Sequence, residues 1–184
     1  MKRLSISFSV LIVIGAGILG MAHVSSAQSE QPMDEAHIER IRANCTTAKT
    51  TLDQLHANGG VLRVNRGQLY ESILNKLMTP LNSRLTLNQL DSSELVRITA
   101  EFDDQLETFR DSYQAYEIQL SGTLDIDCQQ QSVAFYDAVQ RTRELRKELH
   151  ADVVVLTESI KAYQAAFEEF EEAYVTENQE KNNE

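Results

Sequence analysis

The stretch LHADVVVLTESIKAYQAAFEEFEEAY, residues 149–174, decides the fold class. Its apolar side chains recur at steps of three and four residues, as Leu149, Val153, Leu156, Ile160, Tyr163, Phe167, Phe170 and Tyr174. This spacing places one apolar stripe along one side of an α-helix. The alternation of three and four averages about 3.5 residues, which is the repeat of a coiled-coil seam. The stretch therefore predicts a long helix that packs along its length against other helices.

Two more apolar series with the same spacing precede this one. They are Ile38, Ile41, Cys45, Ala48, Leu52 and Leu55, and then Leu95, Ile98, Phe102, Leu106, Phe109, Tyr113, Tyr116 and Leu120. No run of comparable length alternates apolar and polar residues, so the sequence indicates no sheet. We predict an all-α fold, an antiparallel bundle of about four long, coiled-coil-like helices.

The helix limits follow from capping residues and helix breakers. We expect helices over about residues 34–56, 68–78, 92–121 and 127–175. Pro80 is expected to end the second helix and Gly122 the third. Asp91 and Glu94 have the spacing of a capping box at the start of the third helix, and Asp127 is the expected cap of the fourth.

The N-terminus has the pattern of a secretory signal. Lys2 and Arg3 precede residues 4–24, which carry no charge, and the small residues Ser25, Ser26 and Ala27 follow. We predict a signal peptide over residues 1–27; the alternative is an uncleaved membrane anchor. The remaining divisions are a flexible linker at 28–33, the helical bundle at 34–175 and a disordered acidic tail at 176–184.

The chain is acidic. Its formal charge is −11, and loss of Lys2 and Arg3 with the signal leaves −13. Such a chain repels phosphates and anionic lipid headgroups. We therefore expect no nucleic-acid partner, and membrane contact only through an uncleaved signal. The basic island of Arg141, Arg143, Arg146 and Lys147 and the acidic C-terminus are interpreted as solvated helix faces.

The two cysteines, Cys45 and Cys128, predict one disulfide if the chain is exported. Two buried free thiols are the alternative. Catalytic and metal signatures do not occur: His37, His56 and His150 are far apart, and none has a His or Cys three or four residues further on. Glycine-framed nucleophiles and phosphate loops are missing too. We expect no catalytic residues, no metal and no cofactor.

Two segments are candidate partner-binding sites. The first is the expected loop between the first two helices, in which Val61, Leu62, Arg63, Val64 and Arg66 lie between glycines. Its arginines could meet carboxylates on a partner, or the loop could simply cover the end of the bundle. The second is the aromatic set Tyr163, Phe167, Phe170 and Tyr174, which is core unless the fourth helix overhangs its neighbours.

The stretches LRVNRGQLY, residues 62–70, and FYDAV, residues 135–139, resemble uncharacterised exported helical proteins of ultrasmall, host-attached bacteria. The resemblance implies a bacterial extracytoplasmic location, secreted or in the cell envelope, and no activity. We predict an exported protein-binding or structural module without catalysis. A periplasmic holdase-type chaperone is the alternative, and the fourth helix could also form a homo-oligomer.

Overall fold

A computed structural model describes residues 33–182 of the chain. The described residues contain helices and turns and no strand: α1 spans Glu35–Ser72, α2 Thr79–Leu87, α3 Ser93–Asp125 and α4 Ser132–Asn182. The prediction of an all-α fold is confirmed. The expected signal peptide and all of the expected linker except Met33 lie outside the described residues.

The expected count of four helices is not confirmed, because the first half of the described chain is one continuous helical segment. A π-helical turn, Ile73–Met78, joins α1 to α2 without a break. The described chain therefore contains three helical segments, residues 35–87, 93–125 and 132–182. Both interruptions that the sequence indicates in the first segment, the glycine-rich loop and Pro80, are absorbed into helix.

The predicted loop at residues 56–67 is wrong, since these residues belong to α1. No described glycine has a positive φ, so Gly59, Gly60 and Gly67 adopt ordinary helical backbone. Each glycine costs a helix about 1 kcal/mol relative to alanine. The flanks of the segment offset that cost, because Leu52 before it and Tyr70 after it are both buried.

Pro80 does not end a helix, because the π turn precedes it. Proline has no N–H, and its ring crowds the carbonyl four residues earlier in an α-helix. Here the N–H of Thr79 bonds to the carbonyl of Leu74, five residues back, which is the wider π spacing. Leu74 and Met78 of this turn are buried, so the widened turn lies within the apolar core.

Helices α3 and α4 run antiparallel and share most of the core. The Ser159 hydroxyl donates to Gln105 Oε1 at 2.6 Å near one end, and the Thr123 and Thr142 hydroxyls are 2.9 Å apart near the other. The expected end of the third helix at Gly122 is wrong, because α3 continues to Asp125. Thr123 is fully buried and hydrogen bonded there, which keeps the last turn helical.

The start of α1 is fastened to the turn between α3 and α4. Cys45 and Cys128 form a disulfide with their Cα atoms 5.6 Å apart, as the sequence predicts. Lys49 Nζ donates to the carbonyl of Ile126 at 3.1 Å, and Gln129 Nε2 donates to the carbonyl of Arg42 at 3.0 Å. The covalent link is thus one of three cross-links between α1 and this turn.

The ends of α4 differ from the expected limits. Asp127 Oδ1 accepts from the N–H groups of Gln129 and Gln130, so Asp127 caps a turn, and α4 begins only at Ser132. At the other end, α4 continues to Asn182 where the sequence predicts disorder from residue 176. The segment contains no helix breaker, and the Thr176 hydroxyl donates to the carbonyl of Glu172 one turn earlier.

Candidate binding surfaces

The first predicted site lies on a helix. Val61 and Val64 are exposed side chains of α1, with 63% of Val61 accessible, and Arg66 is also exposed. The side chains of Leu62 and Arg63 lie outside the described part of the chain. The helix therefore spreads these residues around its circumference, whereas a loop could have presented them together.

The second predicted site divides into a buried part and an exposed part. Tyr163 is buried, and its hydroxyl bonds to Asn82, so it is not free to meet a partner. Phe167 and Phe170 are half-buried against the core, whereas Tyr174 is 45% exposed. The rings of Phe170 and Tyr174 stack at a centroid distance of 6.2 Å. Only the distal end of the aromatic stripe is a surface.

The structure does not bring the two predicted sites together. Arg66 and Val153 line the same cleft. Tyr174 lies further along α4 than Val153, by about 30 Å at 1.5 Å per residue. A partner of moderate size that touches one site need not touch the other, so we treat them as separate surfaces.

The cleft beside Arg66 is a feature that the sequence does not indicate. It has a volume of about 230 Å³ and lies between α1, α3 and α4. Three buried aromatic side chains of α3 form its floor, namely Phe109, Tyr113 and Tyr116. Arg146 and His150 of α4 also line it. Arg146 belongs to the basic island noted above, and that cluster is the only trace of the cleft in the sequence.

The electrostatics of the cleft centre on Arg146 and Tyr116. Burial raises the pKa of the Tyr116 hydroxyl above its ordinary value; the positive charge of Arg146 opposes this rise, and that of Glu117 adds to it. Glu117 also faces α1, with its Oε2 atom 3.4 Å from His56 Nε2. Its other oxygen, Oε1, is buried and has no hydrogen-bond partner in the described residues.

A polar cluster lies inside the core near the other end of α3. Asn82 is buried, and its Nδ2 donates to Thr99 Oγ1 at 2.7 Å and to the carbonyl of Leu95 at 3.2 Å. The Tyr163 hydroxyl donates to Asn82 Oδ1 at 2.8 Å. Every polar atom of the Asn82 side chain is satisfied, so this cluster holds helices together and is not a vacant site.

Metal-binding and membrane-spanning features are missing from residues 33–182. No group of three or more His, Cys, Asp or Glu side chains there could hold a metal ion. None of the helices in the same range is long and apolar enough to cross a membrane. The surfaces left to consider are the distal end of α4 and the cleft.

Comparison with known proteins adds nothing to this geometry. No known protein family, curated protein or solved structure matches this chain. The function is therefore inferred from the chain's own side chains and their arrangement.

Proposed function

We propose that the protein is an exported, non-catalytic helical module of the bacterial cell envelope, which binds another protein through the distal end of α4. Its long, coiled-coil-like helices serve as the support that holds this end away from the core. The Cys45–Cys128 disulfide supports an oxidising, extracytoplasmic location. The signal-like N-terminus and the resemblance to exported bacterial proteins support the same location.

One observation carries the proposal: α4 extends beyond the helix it packs against. Gln105 of α3 bonds to Ser159 of α4, and the two helices are antiparallel. The first residue of α3, Ser93, therefore lies opposite about residue 171. Of residues 171–180, all except Asn178 are exposed. The α4 tip, which we define as residues 171–182, has no neighbour from α3.

The α4 tip combines apolar and acidic side chains. Tyr174 and Val175 are 45% and 46% exposed, and the tip also carries Glu171, Glu172, Glu177 and Glu180. An aromatic and an aliphatic side chain surrounded by carboxylates fit a partner with an apolar centre and a basic rim. The same carboxylates repel a second copy of this tip, which favours a different protein over self-association.

Photo-crosslinking of the exported full chain tests the proposal. A photoreactive phenylalanine replaces Tyr174, and the matched control carries it at Ile118, which is 65% exposed on α3. We expect a single crosslinked species of defined mass at Tyr174 and none at Ile118. The charge-reversed chain Glu171→Lys with Glu172→Lys should lose that species while its circular dichroism stays unchanged.

The other outcomes contradict the proposal in different ways. A ladder of many crosslinked proteins at both positions would indicate a holdase-type chaperone. A product with twice the mass of the chain would indicate a homodimer through α4. A species that survives the charge reversal would show that the acidic rim does not recognise the partner.

A further inference from the structure

The cleft between α1, α3 and α4 is separate from the α4 tip and has a different chemistry. The cleft is apolar inside and basic at its edge, whereas the tip is acidic. Its volume of about 230 Å³ corresponds to roughly ten non-hydrogen atoms, at about 20–30 Å³ for each atom or water. It is therefore the size of a small molecule and too small for a helix of another protein.

The interior of the cleft favours an apolar group. The floor consists of Phe109, Tyr113 and Tyr116, and the α4 wall contains Leu149 and Val153. Ligand sites in proteins are mostly lined in this way, with a few polar groups that fix the orientation of the ligand. An alkyl chain or a ring placed here would be removed from water on several sides.

The edge of the cleft favours an anion. Arg66 of α1 and Arg146 of α4 both line it, and neither makes a hydrogen bond or an ion pair with any residue that the structure describes. By contrast, Arg97 and Arg110 each have a carboxylate partner. In a chain with 28 acidic residues, two arginines without such a partner at one apolar cleft can both offer their N–H groups to a ligand.

The third wall is the glycine-bearing part of α1. Gly59 lines the cleft, and a Cβ atom at this position would lie 3.2 Å from Glu117 Oε1. A larger residue here would push against α3 and alter the space between the two helices. The lack of a side chain at Gly59 thus lets α1 approach α3 at one end of the cleft.

We propose that this cleft binds a small organic anion with an apolar body, its carboxylate held between Arg66 and Arg146 and its body lying over Phe109 and Tyr113. A medium-chain carboxylate of about ten non-hydrogen atoms has this size and polarity. Planar guanidinium groups bind a carboxylate through paired N–H donors, which gives the two arginines a defined geometry for the ligand.

Calorimetric titration of the purified exported protein with octanoate tests the proposal. Three probes isolate its parts: octanol keeps the chain without the charge, acetate keeps the charge without the chain, and octyltrimethylammonium reverses the charge. We expect octanoate to bind at least about tenfold more tightly than any of them, the order of magnitude of one charge-assisted hydrogen bond. Vesicles of phosphatidylglycerol test whether the anion is instead a lipid in a membrane.

The variant Arg66→Gln with Arg146→Gln should weaken octanoate binding about tenfold or more and leave octanol binding unchanged. The matched control, Lys76→Gln with Arg84→Gln, removes two positive charges from the π turn and α2 and should bind octanoate like the unmodified chain. Circular dichroism verifies that both variants are folded. Equal octanoate affinity in the two variants, or binding to vesicles without binding to octanoate, would overturn the proposal.

Discussion

The Tyr163 hydroxyl donates a hydrogen bond to Asn82 Oδ1 at 2.8 Å, across 81 positions of sequence. Asn82 in turn donates to Thr99 Oγ1, so one amide links α2, α3 and α4 inside an apolar cluster. Apolar contacts tolerate sliding of one helix along another, whereas a buried amide requires its partners at fixed positions. This cluster therefore specifies the register of three helices.

Tyr163→Phe should destabilise the protein by about 1–3 kcal/mol, because Asn82 Oδ1 would stay buried without a donor. Urea unfolding followed by circular dichroism measures the change. The matched control is Tyr174→Phe, the same substitution at an exposed position of α4, which should stay within about 0.5 kcal/mol of the unmodified chain. Equal free energies of unfolding for the two variants would show that the Asn82 bond is not stabilising.

Alkaline pH should unfold the protein partly through two tyrosines. Burial raises the pKa of both Tyr116 and Tyr163 above the ordinary value of 10.0. Above that value the unfolded chain loses these protons first and binds fewer protons than the folded chain, so stability falls as pH rises. Stability is complete below about pH 10 and is lost as pH rises through the folded pKa values.

The variant Tyr116→Phe with Tyr163→Phe tests this pH dependence. It should be less stable at neutral pH but should lose less stability between pH 9 and pH 12, by up to about 1.4 kcal/mol per pH unit for each tyrosine. Urea unfolding at each pH gives the two curves. Parallel curves for the variant and the unmodified chain would contradict this assignment.

Reduction of the Cys45–Cys128 disulfide should lower the free energy of unfolding. The two cysteines are 83 positions apart, and the chain-entropy model gives an upper value of about 4.5 kcal/mol for such a loop. Lys49 and Gln129 still bond across the same junction, so the reduced protein should retain its helical circular dichroism. The control is Cys45→Ser with Cys128→Ser, whose unfolding should not respond to reductant.

The glycines of α1 allow a direct test of the helix through residues 59–67. A Cβ atom at Gly60 or Gly67 meets nothing within 4 Å, so alanine at either position should stabilise the protein by about 0.4–1 kcal/mol. Gly59→Ala places its Cβ atom 3.2 Å from Glu117 Oε1 and should gain less or lose stability. Slower amide exchange over residues 59–67 should accompany the gain. Destabilisation by alanine at Gly60 and Gly67 alike would restore the loop.

The sequence predicts those parts of the fold that depend on periodic apolar residues. Leu95 to Leu120 and Leu149 to Tyr163 lie on the helices and in the core where the spacing places them. The Cys45–Cys128 pairing followed from there being two cysteines and an export signal. These features are local or have a single solution, so no information on tertiary packing is needed to find them.

Helix ends could not be predicted as well, because packing overrides the breakers. Gly60, Pro80 and Gly122 each indicate a stop, yet the chain stays helical at all three positions. The energy cost of a glycine is about 1 kcal/mol, less than the burial of one large apolar side chain on a neighbouring turn contributes. Sequence spacing does not reveal where that compensation is available.

The candidate surfaces were only partly predictable. Tyr174 emerged from the aromatic stripe, but the stripe alone does not show that Tyr163 is buried while Tyr174 is exposed. The cleft joins Arg66 of α1 to Arg146 of α4, residues that belong to different segments of sequence. Such a juxtaposition depends on how α1 lies against α3 and α4, which no local pattern encodes.

The π turn at residues 73–78 has a consequence for how the chain tolerates change in length. A π turn holds one residue more than an α turn. Deletion of the exposed Asn75 should let the turn relax to α geometry, and everything after it would rotate by about 100° around the helix axis. Asn82 would then leave Thr99 and Tyr163, and an apolar side chain would turn outward in its place. The extra residue thus acts as a phase setting, and a shortened helix would be well formed yet joined to the wrong face of its neighbours.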